Sequence, residues 1–171
     1  MKRTTAALVL ALSIGNSVCA AQNPETEQFG KMVGTWRLSY VINRLGSVVI
    51  GATSETKVVS PDSNTVSFAG NMHVGQGSFG APQFESVASS LRWNPATSEY
   101  VFNLALGSPV VADMPMKYVV GTGFTGTGSI QLYRRPYDAT VTVSLDEAKN
   151  EQVWLVSSPA GKSQFRFTFS K

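Results

Sequence analysis

Few residues of this chain have the side-chain chemistry that catalysis needs. Its one histidine, His73, lies five positions before Ser78 in the segment 76–80, QGSFG. That segment resembles the turn that carries the nucleophile of serine hydrolases, but a glutamine replaces the first glycine and no helix is predicted after it. A histidine at a strand end can act as a general base, yet a solvated or hydrogen-bonded loop-end histidine is the simpler interpretation. We predict no catalytic residue, and an enzyme that uses His73, Tyr118 or Tyr133 is kept as an alternative.

Two glycine patterns match the letters of the dinucleotide-binding fingerprint, GxGxxG. They are residues 75–80, GQGSFG, and residues 121–126, GTGFTG. In that fingerprint the glycines let the backbone approach a pyrophosphate at the start of a helix, so a helix must follow. Here Ala81 and Pro82 follow the first pattern and a predicted strand follows the second. Both patterns are therefore predicted to be flexible loops, and no nucleotide is expected.

Metal ligands and paired carboxylates are scattered along the chain. With one histidine and one cysteine, Cys19, a zinc or copper site would need mostly carboxylates, which suit harder cations. The closest acidic cluster, residues 146–151, has the composition of a hairpin turn and lacks the spacing of a calcium loop. Glu55, Glu85 and Glu99 could converge as the carboxylates of a glycosidase, but each is explained as an outward-facing strand residue. We predict no metal site and no cofactor.

Residues 1–20 have the organisation of an export signal. Lys2 and Arg3 give the positive start, residues 6–14 the apolar run, and residues 18–20, VCA, the small residues before a cleavage site. We predict a signal peptide that ends at Ala20 and a periplasmic or secreted protein. Lipid attachment to Cys19 is the alternative, but the residues before it differ from lipoprotein signals. No later stretch approaches the roughly 20 apolar residues of a membrane-spanning helix.

The charge of the chain gives little support for nucleic-acid binding. The formal net charge of +3 falls to +1 after signal removal, because two of the 14 basic residues are lost and none of the 11 acidic ones. No basic cluster remains, and nucleic-acid binding normally needs a concentrated basic face or a recognisable reader motif. The remaining residues, 21–171, suffice for one well-buried domain.

A short helix, a glycine and a tryptophan are predicted to open the folded part of the chain. Asn23 can cap the helix, Pro24 fits its first turn, and the segment 25–33 has one apolar side. After Gly34 the residues alternate in character, which indicates a strand with one buried face. That face carries Trp36, Leu38, Tyr40 and Ile42. We expect the helix to form a lid or plug on the sheet that follows.

The rest of the chain alternates between short strands and turns. Predicted strands span residues 35–42, 47–52, 55–59, 65–73, 85–93, 100–106, 117–120, 129–134, 140–145, 152–156 and 164–169. Apolar residues fill one face of these strands and milder residues the other, and closing such a sheet on itself also removes its exposed edges. We predict an all-β fold, an antiparallel up-and-down barrel of about 8–10 strands. The two glycine loops would lie at its mouth, with Phe79 and Phe124 as exposed gates.

The segment 34–36, GTW, after a short helix and before a meander, resembles the opening of the lipocalin and calycin superfamily. More narrowly, the chain is similar to bacterial domains of unknown function with a lipocalin-like barrel, and residues 93–100, WNPATSEY, resemble their mid-chain hairpin. The resemblance implies a late-strand arginine packed across the tryptophan, for which Arg166 is the candidate. Related haem-binding barrels use a late-strand histidine, and no histidine follows His73, so haem is not expected.

The remaining functional signal is aromatic. Residues on the apolar face would line the inside of a barrel, and a barrel of about eight or more strands has room for one small ligand. The predicted ligand-binding residues are Trp36, Tyr40, Phe68, Met72, Trp93 and Phe102. We predict a non-catalytic barrel that binds a small hydrophobic or amphipathic molecule. A small outer-membrane barrel is the second alternative, because alternating phenylalanines at 165, 167 and 169 resemble the closing strand of such proteins.

Overall fold

The computed structural model of the protein describes residues 25–76, 82–159 and 163–171, and these form one closed antiparallel barrel. The predicted fold class is confirmed. One helix, α1 (Thr26–Met32), precedes ten strands that pair in sequence order, and the last strand closes the barrel by pairing with the first. The strands are β1 (Gly34–Arg44), β2 (Ser47–Asp62), β3 (Thr65–Gln76), β4 (Pro82–Asn94), β5 (Glu99–Leu106), β6 (Ser108–Val119), β7 (Gly123–Leu132), β8 (Arg135–Asp146), β9 (Glu151–Ser157) and β10 (Ser163–Ser170).

Several strand predictions differ from the structure. Strands β7 and β8 begin at Gly123 and Arg135 rather than at residues 129 and 140. The predicted strands 47–52 and 55–59 are one strand, β2, with an irregularity in its pairing opposite Trp36 and Leu38. Strand β6 begins at Ser108 rather than at residue 117. Its first part contains two prolines and Asp113, whose φ of 46° lies in the left-handed region, and the Asn103 side chain accepts the Asp113 backbone N–H at 2.9 Å. A side chain thus replaces a regular ladder bond where sequence reasoning saw a break.

The second glycine pattern is not a loop at the mouth. Its last four residues belong to β7, and the Phe124 side chain is buried against α1 rather than exposed as a gate. Gly126 and Gly128 lie where Met114 and Met116 of the neighbouring strand cross the barrel interior, and an added Cβ at Gly126 would overlap the Pro115 carbonyl. The glycines therefore serve close packing between strands. Residue 79, the other expected gate, lies outside the described residues.

The barrel interior is built from the alternating apolar residues, as predicted. Strand β10 shows the pattern clearly, because Phe165, Phe167 and Phe169 are buried while Arg166 between them is exposed. The rings of Phe68, Trp154, Phe167 and Phe169 pack at the centre, with centroid distances of 4.9–5.4 Å between Phe68 and the other three. Such offset and edge-on ring pairs add to the free energy gained by burial.

Helix α1 closes one end of the barrel. Phe29 and Met32 point into it, and the Phe29 ring lies 5.6 Å from Phe124. The Met32 carbonyl accepts the Trp36 indole N–H and the buried Gln152 amide, both at 3.0 Å. We call this the plugged end, formed by α1, Trp36, Tyr100, Phe124 and Gln152. The opposite end, which carries the β1–β2 and β7–β8 turns with Arg44 and Glu85, is called the mouth. No helix among the described residues is long and apolar enough to cross a membrane.

Candidate functional site

A cleft of about 370 Å³ in the side of the barrel brings together two of the predicted ligand-binding residues. Phe68 and Met72 form its floor with Leu38 and Val87. Polar side chains stand at its rim, among them Thr53, Glu55, Lys57 and Asn71. We call this opening the side cleft. Its floor residues belong to the barrel interior, and each of them is 2% exposed.

The side cleft exists because β2 and β3 pair over a short distance. Three residue pairs join these strands, whereas ten pairs join β1 and β2. The last pair before the cleft is Val58 with Phe68. On the mouth side of this pair β2 is irregular, and the hydroxyls of Thr53 and Thr56 lie 2.8 Å apart along the irregular segment. Strands β2 and β3 therefore separate at the cleft, and they remain paired on the side of the plugged end.

Tyr40 forms the border of the side cleft toward the mouth. Its hydroxyl accepts the His73 backbone N–H at 3.0 Å and donates to the His73 carbonyl at 3.2 Å, so it joins β1 to β3 across β2. The ring passes over Gly51, where any added Cβ would overlap the phenol. One side chain thus satisfies two backbone groups that a regular β2–β3 ladder would have paired.

Gly70 keeps the side cleft open. It occupies the inward-facing position between Phe68 and Met72 on β3, and a Cβ added there would have no atom within 4 Å. Its partner across β3 and β4 is Val87 in the cleft floor. Sequence reasoning missed Gly70, Leu38 and Val87 as cleft residues. The available signal was a glycine that interrupts the apolar alternation of residues 66, 68 and 72.

The other four predicted ligand-binding residues do not line the side cleft. Trp36 lies buried under α1, and Tyr40 is the border residue described above. Trp93 packs on Tyr100 at 4.9 Å near the plugged end, and Phe102 lies in the core 6.2 Å from Trp154. Their role in binding stays a prediction.

The basic side chain over Trp36 differs from the one expected. The Lys171 ammonium lies 4.2 Å from the centre of the indole, close enough for a cation–π interaction. Arg166 is exposed on the outer face and donates to the Thr168 hydroxyl at 3.3 Å. Arg166 faces outward because it alternates along β10 with the inward-facing phenylalanines.

A second cleft, of about 420 Å³, lies at the mouth. Leu106, Val110 and Leu132 form its apolar part, and Arg44 and Glu85 form an ion pair beside them, with guanidinium–carboxylate distances of 3.2 and 2.5 Å. Glu85 was expected to face outward, and this is wrong. It shares the inward-facing parity of Val87 and Leu91, and Arg44 across the mouth neutralises it.

A third cleft, of about 630 Å³, is an open groove between α1 and the turns of the plugged end. Its carboxylates already have partners. Lys31 binds Glu147 at 2.9 Å, and the hydrogen bonds that the Lys31 ammonium donates to Glu147 and Glu27 raise its pKa. The hydrogen bond from Lys149 holds the pKa of the Asp146 carboxyl below its ordinary value. These are exposed ion pairs of the kind that contribute little to stability.

The structure separates the residues considered for catalysis. The His73 ring packs edge-on against Phe84 at 5.7 Å on the outer face, Tyr118 packs on Phe124 at the plugged end, and Tyr133 is exposed at the mouth. Ser78 lies outside the described residues. Within the ranges that the structure describes, no three His, Cys, Asp or Glu side chains are grouped as metal ligands would be.

No protein-family model matches the chain, and a search of curated proteins finds no significant match. Function is therefore argued from the barrel and its clefts.

Proposed function

We propose that the protein is an exported, lipocalin-like barrel that binds a small hydrophobic or amphipathic molecule, and that this molecule occupies the side cleft. The observation that carries the proposal is the apolar floor that Leu38, Phe68, Met72 and Val87, each 2% exposed, form beneath an opening between two strands. Apolar floors with a few polar groups at the rim are typical of small-molecule sites, and the cleft volume of about 370 Å³ falls in their usual range.

The rim indicates where a polar part of the ligand would lie. Thr53, Thr56 and Asn71 offer neutral hydrogen-bonding groups, and Lys57 and Glu55 offer one charge of each sign. The rim therefore suits a neutral or weakly charged head group, while the apolar tail covers the floor. Because Phe68 contacts Trp154, a bound molecule would change the surroundings of a buried indole.

The filled interior limits the ligand to one small molecule. The rings around Phe68 and Trp154 pack against each other at the centre of the barrel, and Phe102 and Phe165 are buried beside them. A ligand that reached further would have to displace these side chains, and close-packed interiors resist such changes. We therefore place the ligand at the cleft and not along the whole barrel axis.

The outer-membrane alternative has less support. Transmembrane barrels present an apolar band to lipid and a polar interior. Here the apolar residues of β7 to β10 point inward, and the outward positions are mostly polar, as in Thr125, Thr127, Thr140 and Gln164. This arrangement is the reverse of a lipid-facing barrel.

Filling the side cleft tests the proposal. Gly70→Leu places a side chain in open space above Phe68 and Met72, so the free energy of unfolding is expected to stay equal or to rise. A dansyl-labelled fatty acid, followed by energy transfer from the tryptophans, reports binding. We expect saturable binding to the unaltered protein and a loss of affinity of about tenfold or more in Gly70→Leu.

The matched control is Thr127→Leu, which adds the same leucine to an exposed outward position of β7. It should bind the probe as the unaltered protein does. Equal binding by Gly70→Leu and Thr127→Leu would contradict the side cleft as the site. Absence of saturable binding to the unaltered protein, with this probe and a panel of other apolar molecules, would contradict ligand binding altogether.

A further inference from the structure

Two hairpin turns at the mouth present large side chains to solvent. The β1–β2 turn consists of Leu45 and Gly46, and the β7–β8 turn consists of Tyr133 and Arg134. Both turns flank the mouth cleft, which is lined by Arg44 from one hairpin and by Leu132, Tyr133 and Arg134 from the other. The two turn tips therefore belong to one surface.

The backbone of both turns disfavours Leu45, Tyr133 and Arg134, whereas Gly46 suits its position. Leu45, Tyr133 and Arg134 have φ angles of 54°, 49° and 65°, as two-residue turns of type I′ require, and such positions favour asparagine, aspartate and glycine. At the plugged end the left-handed positions are held by Ser98, Gly121, Gly123 and Asn150, and the β5–β6 turn at the mouth uses Gly107. Bulky residues in this conformation are strained, and strain of this kind concentrates at functional surfaces.

The same side chains are exposed to water. Leu45 is 40% exposed, Tyr133 is 68% exposed, and Val48, close to Leu45 on β2, is 54% exposed. The Leu45 backbone N–H donates to the Ser163 hydroxyl of β10 at 3.3 Å, but its side chain and that of Tyr133 remain partly in water. A large side chain that is strained and exposed gains less from burial than a core residue does, which points to a partner outside the chain.

The charge of the mouth identifies the kind of partner. Arg134 and Arg135 are exposed, and in the described part of the chain no ion pair involves either of them. Arg44 and Glu85 neutralise each other, and the next acid on β8 is Asp138, three residues beyond Arg135. Most other acids lie at the opposite end, where the plugged end and its turns carry Glu25, Glu27, Asp62, Glu99, Asp146, Glu147 and Glu151, with Lys31, Lys149 and Lys171 among them.

We propose that the mouth docks on the surface of an anionic phospholipid bilayer. Leu45 and Tyr133 enter the interfacial region of the bilayer, where burial of aromatic and aliphatic side chains is favourable. Arg134 and Arg135 contact lipid phosphates. The plugged end, where most of the carboxylates lie, then faces away from the negatively charged surface. Two apolar tips and two arginines make this a weak, reversible and salt-sensitive attachment.

The decisive variant carries Leu45→Asn and Tyr133→Asn together. Asparagine suits both left-handed positions, so the melting temperature should rise by roughly 2–4 °C per replaced residue. Binding is measured by co-sedimentation with vesicles of phosphatidylcholine and phosphatidylglycerol at low salt. We expect the double variant to lose about tenfold or more in vesicle affinity. Higher stability with weaker binding separates the proposed role from a folding defect.

Two controls locate the surface and its chemistry. Val120→Asn replaces an exposed apolar turn residue at the plugged end and should leave vesicle binding unchanged. Arg134→Gln with Arg135→Gln should weaken binding and reduce its salt dependence. Gly70→Leu, which fills the side cleft, should bind vesicles as the unaltered protein does, so docking and ligand binding fail independently.

Several outcomes would overturn the docking proposal. One is equal binding of the unaltered protein to vesicles of phosphatidylcholine alone. Another is unchanged vesicle affinity in the Leu45→Asn/Tyr133→Asn variant. A third outcome combines two results. Light scattering shows that the unaltered protein self-associates and that the double variant does not, and neither protein binds vesicles. The exposed turn tips would then contact a second copy of the chain.

Discussion

The two ends of the barrel use the same kinds of residue in opposite ways. At the plugged end, Trp36 is buried under α1 and its indole N–H donates to the Met32 carbonyl. At the mouth, Tyr133 stands in solvent on a strained turn. The aromatic residues of the plugged end are buried and stabilise the fold. Tyr133 at the mouth is exposed and contributes little to stability. The difference indicates that the mouth is under a requirement other than folding.

The strongest test of this contrast replaces a phenylalanine in each region. Phe29→Ala removes a ring that is 1% exposed and packs on Tyr100 and Phe124, so it should lower the free energy of unfolding by about 3–5 kcal/mol. Phe84→Ala, on the outer face beside His73, removes a ring that is 62% exposed and should change it by less than about 0.5 kcal/mol. Denaturant unfolding measures both. Equal losses would mean that α1 is not an integral plug.

The crossing of Tyr40 over Gly51 offers a second test, midway between the ends. Gly51→Ala introduces a methyl group where the phenol lies, and we expect a loss of about 1–3 kcal/mol in unfolding free energy. Tyr40→Phe keeps the ring but leaves the His73 N–H and carbonyl without their partner, with an expected loss of about 1–3 kcal/mol. Because both changes act on one contact, Gly51→Ala should destabilise Tyr40→Phe by less than it destabilises the unaltered protein, as a double-mutant cycle would show.

The smallest expected effect concerns Glu25 at the start of α1. Burial raises the pKa of the Glu25 carboxyl above its ordinary value of 4.5, and one of its oxygens is buried without a partner among the described residues. The folded state therefore holds the proton more tightly than the unfolded state does. This contribution to stability is fully present below pH 4.5 and is lost as the pH rises through the folded-state pKa.

The measurement compares the unaltered protein with Glu25→Gln across that range. Relative to the unaltered protein, the glutamine variant should gain unfolding free energy as the pH rises from below 4.5 toward neutrality. A difference between the two proteins that does not change with pH would contradict the assignment and would place the Glu25 carboxyl in water.

Much of the fold could be read from the sequence because its causes are local. The alternation that begins at Trp36 predicted which residues enter the barrel, and the glycine before it marked the corner between α1 and β1. The missed part of β6 has a local reason as well, since its two prolines and Asp113 have the composition of a turn. Phe124 was misplaced because glycines that make room for Met114 and Met116 look the same as glycines of a loop.

The site was less accessible to sequence reasoning because its causes are not local. The side cleft depends on Tyr40 reaching His73, 33 positions away, and on the unequal pairing of β2 with its two neighbours. Glu85 can face inward because Arg44, 41 positions away in the sequence, forms an ion pair with it. Phe68 and Met72 could be named from their parity, but the gap between β2 and β3 at which the cleft opens could not.

The pairing of the first strand with the last also sets the order of events during synthesis. Arg37 pairs with Ser170 and Arg44 with Ser163, so one edge of β1 stays without its neighbour until β10 has left the ribosome. Contacts of such long sequence separation form late, and until then an apolar strand edge is open to aggregation. A folding helper that covers this edge of β1 in the interval would lower the risk of aggregation.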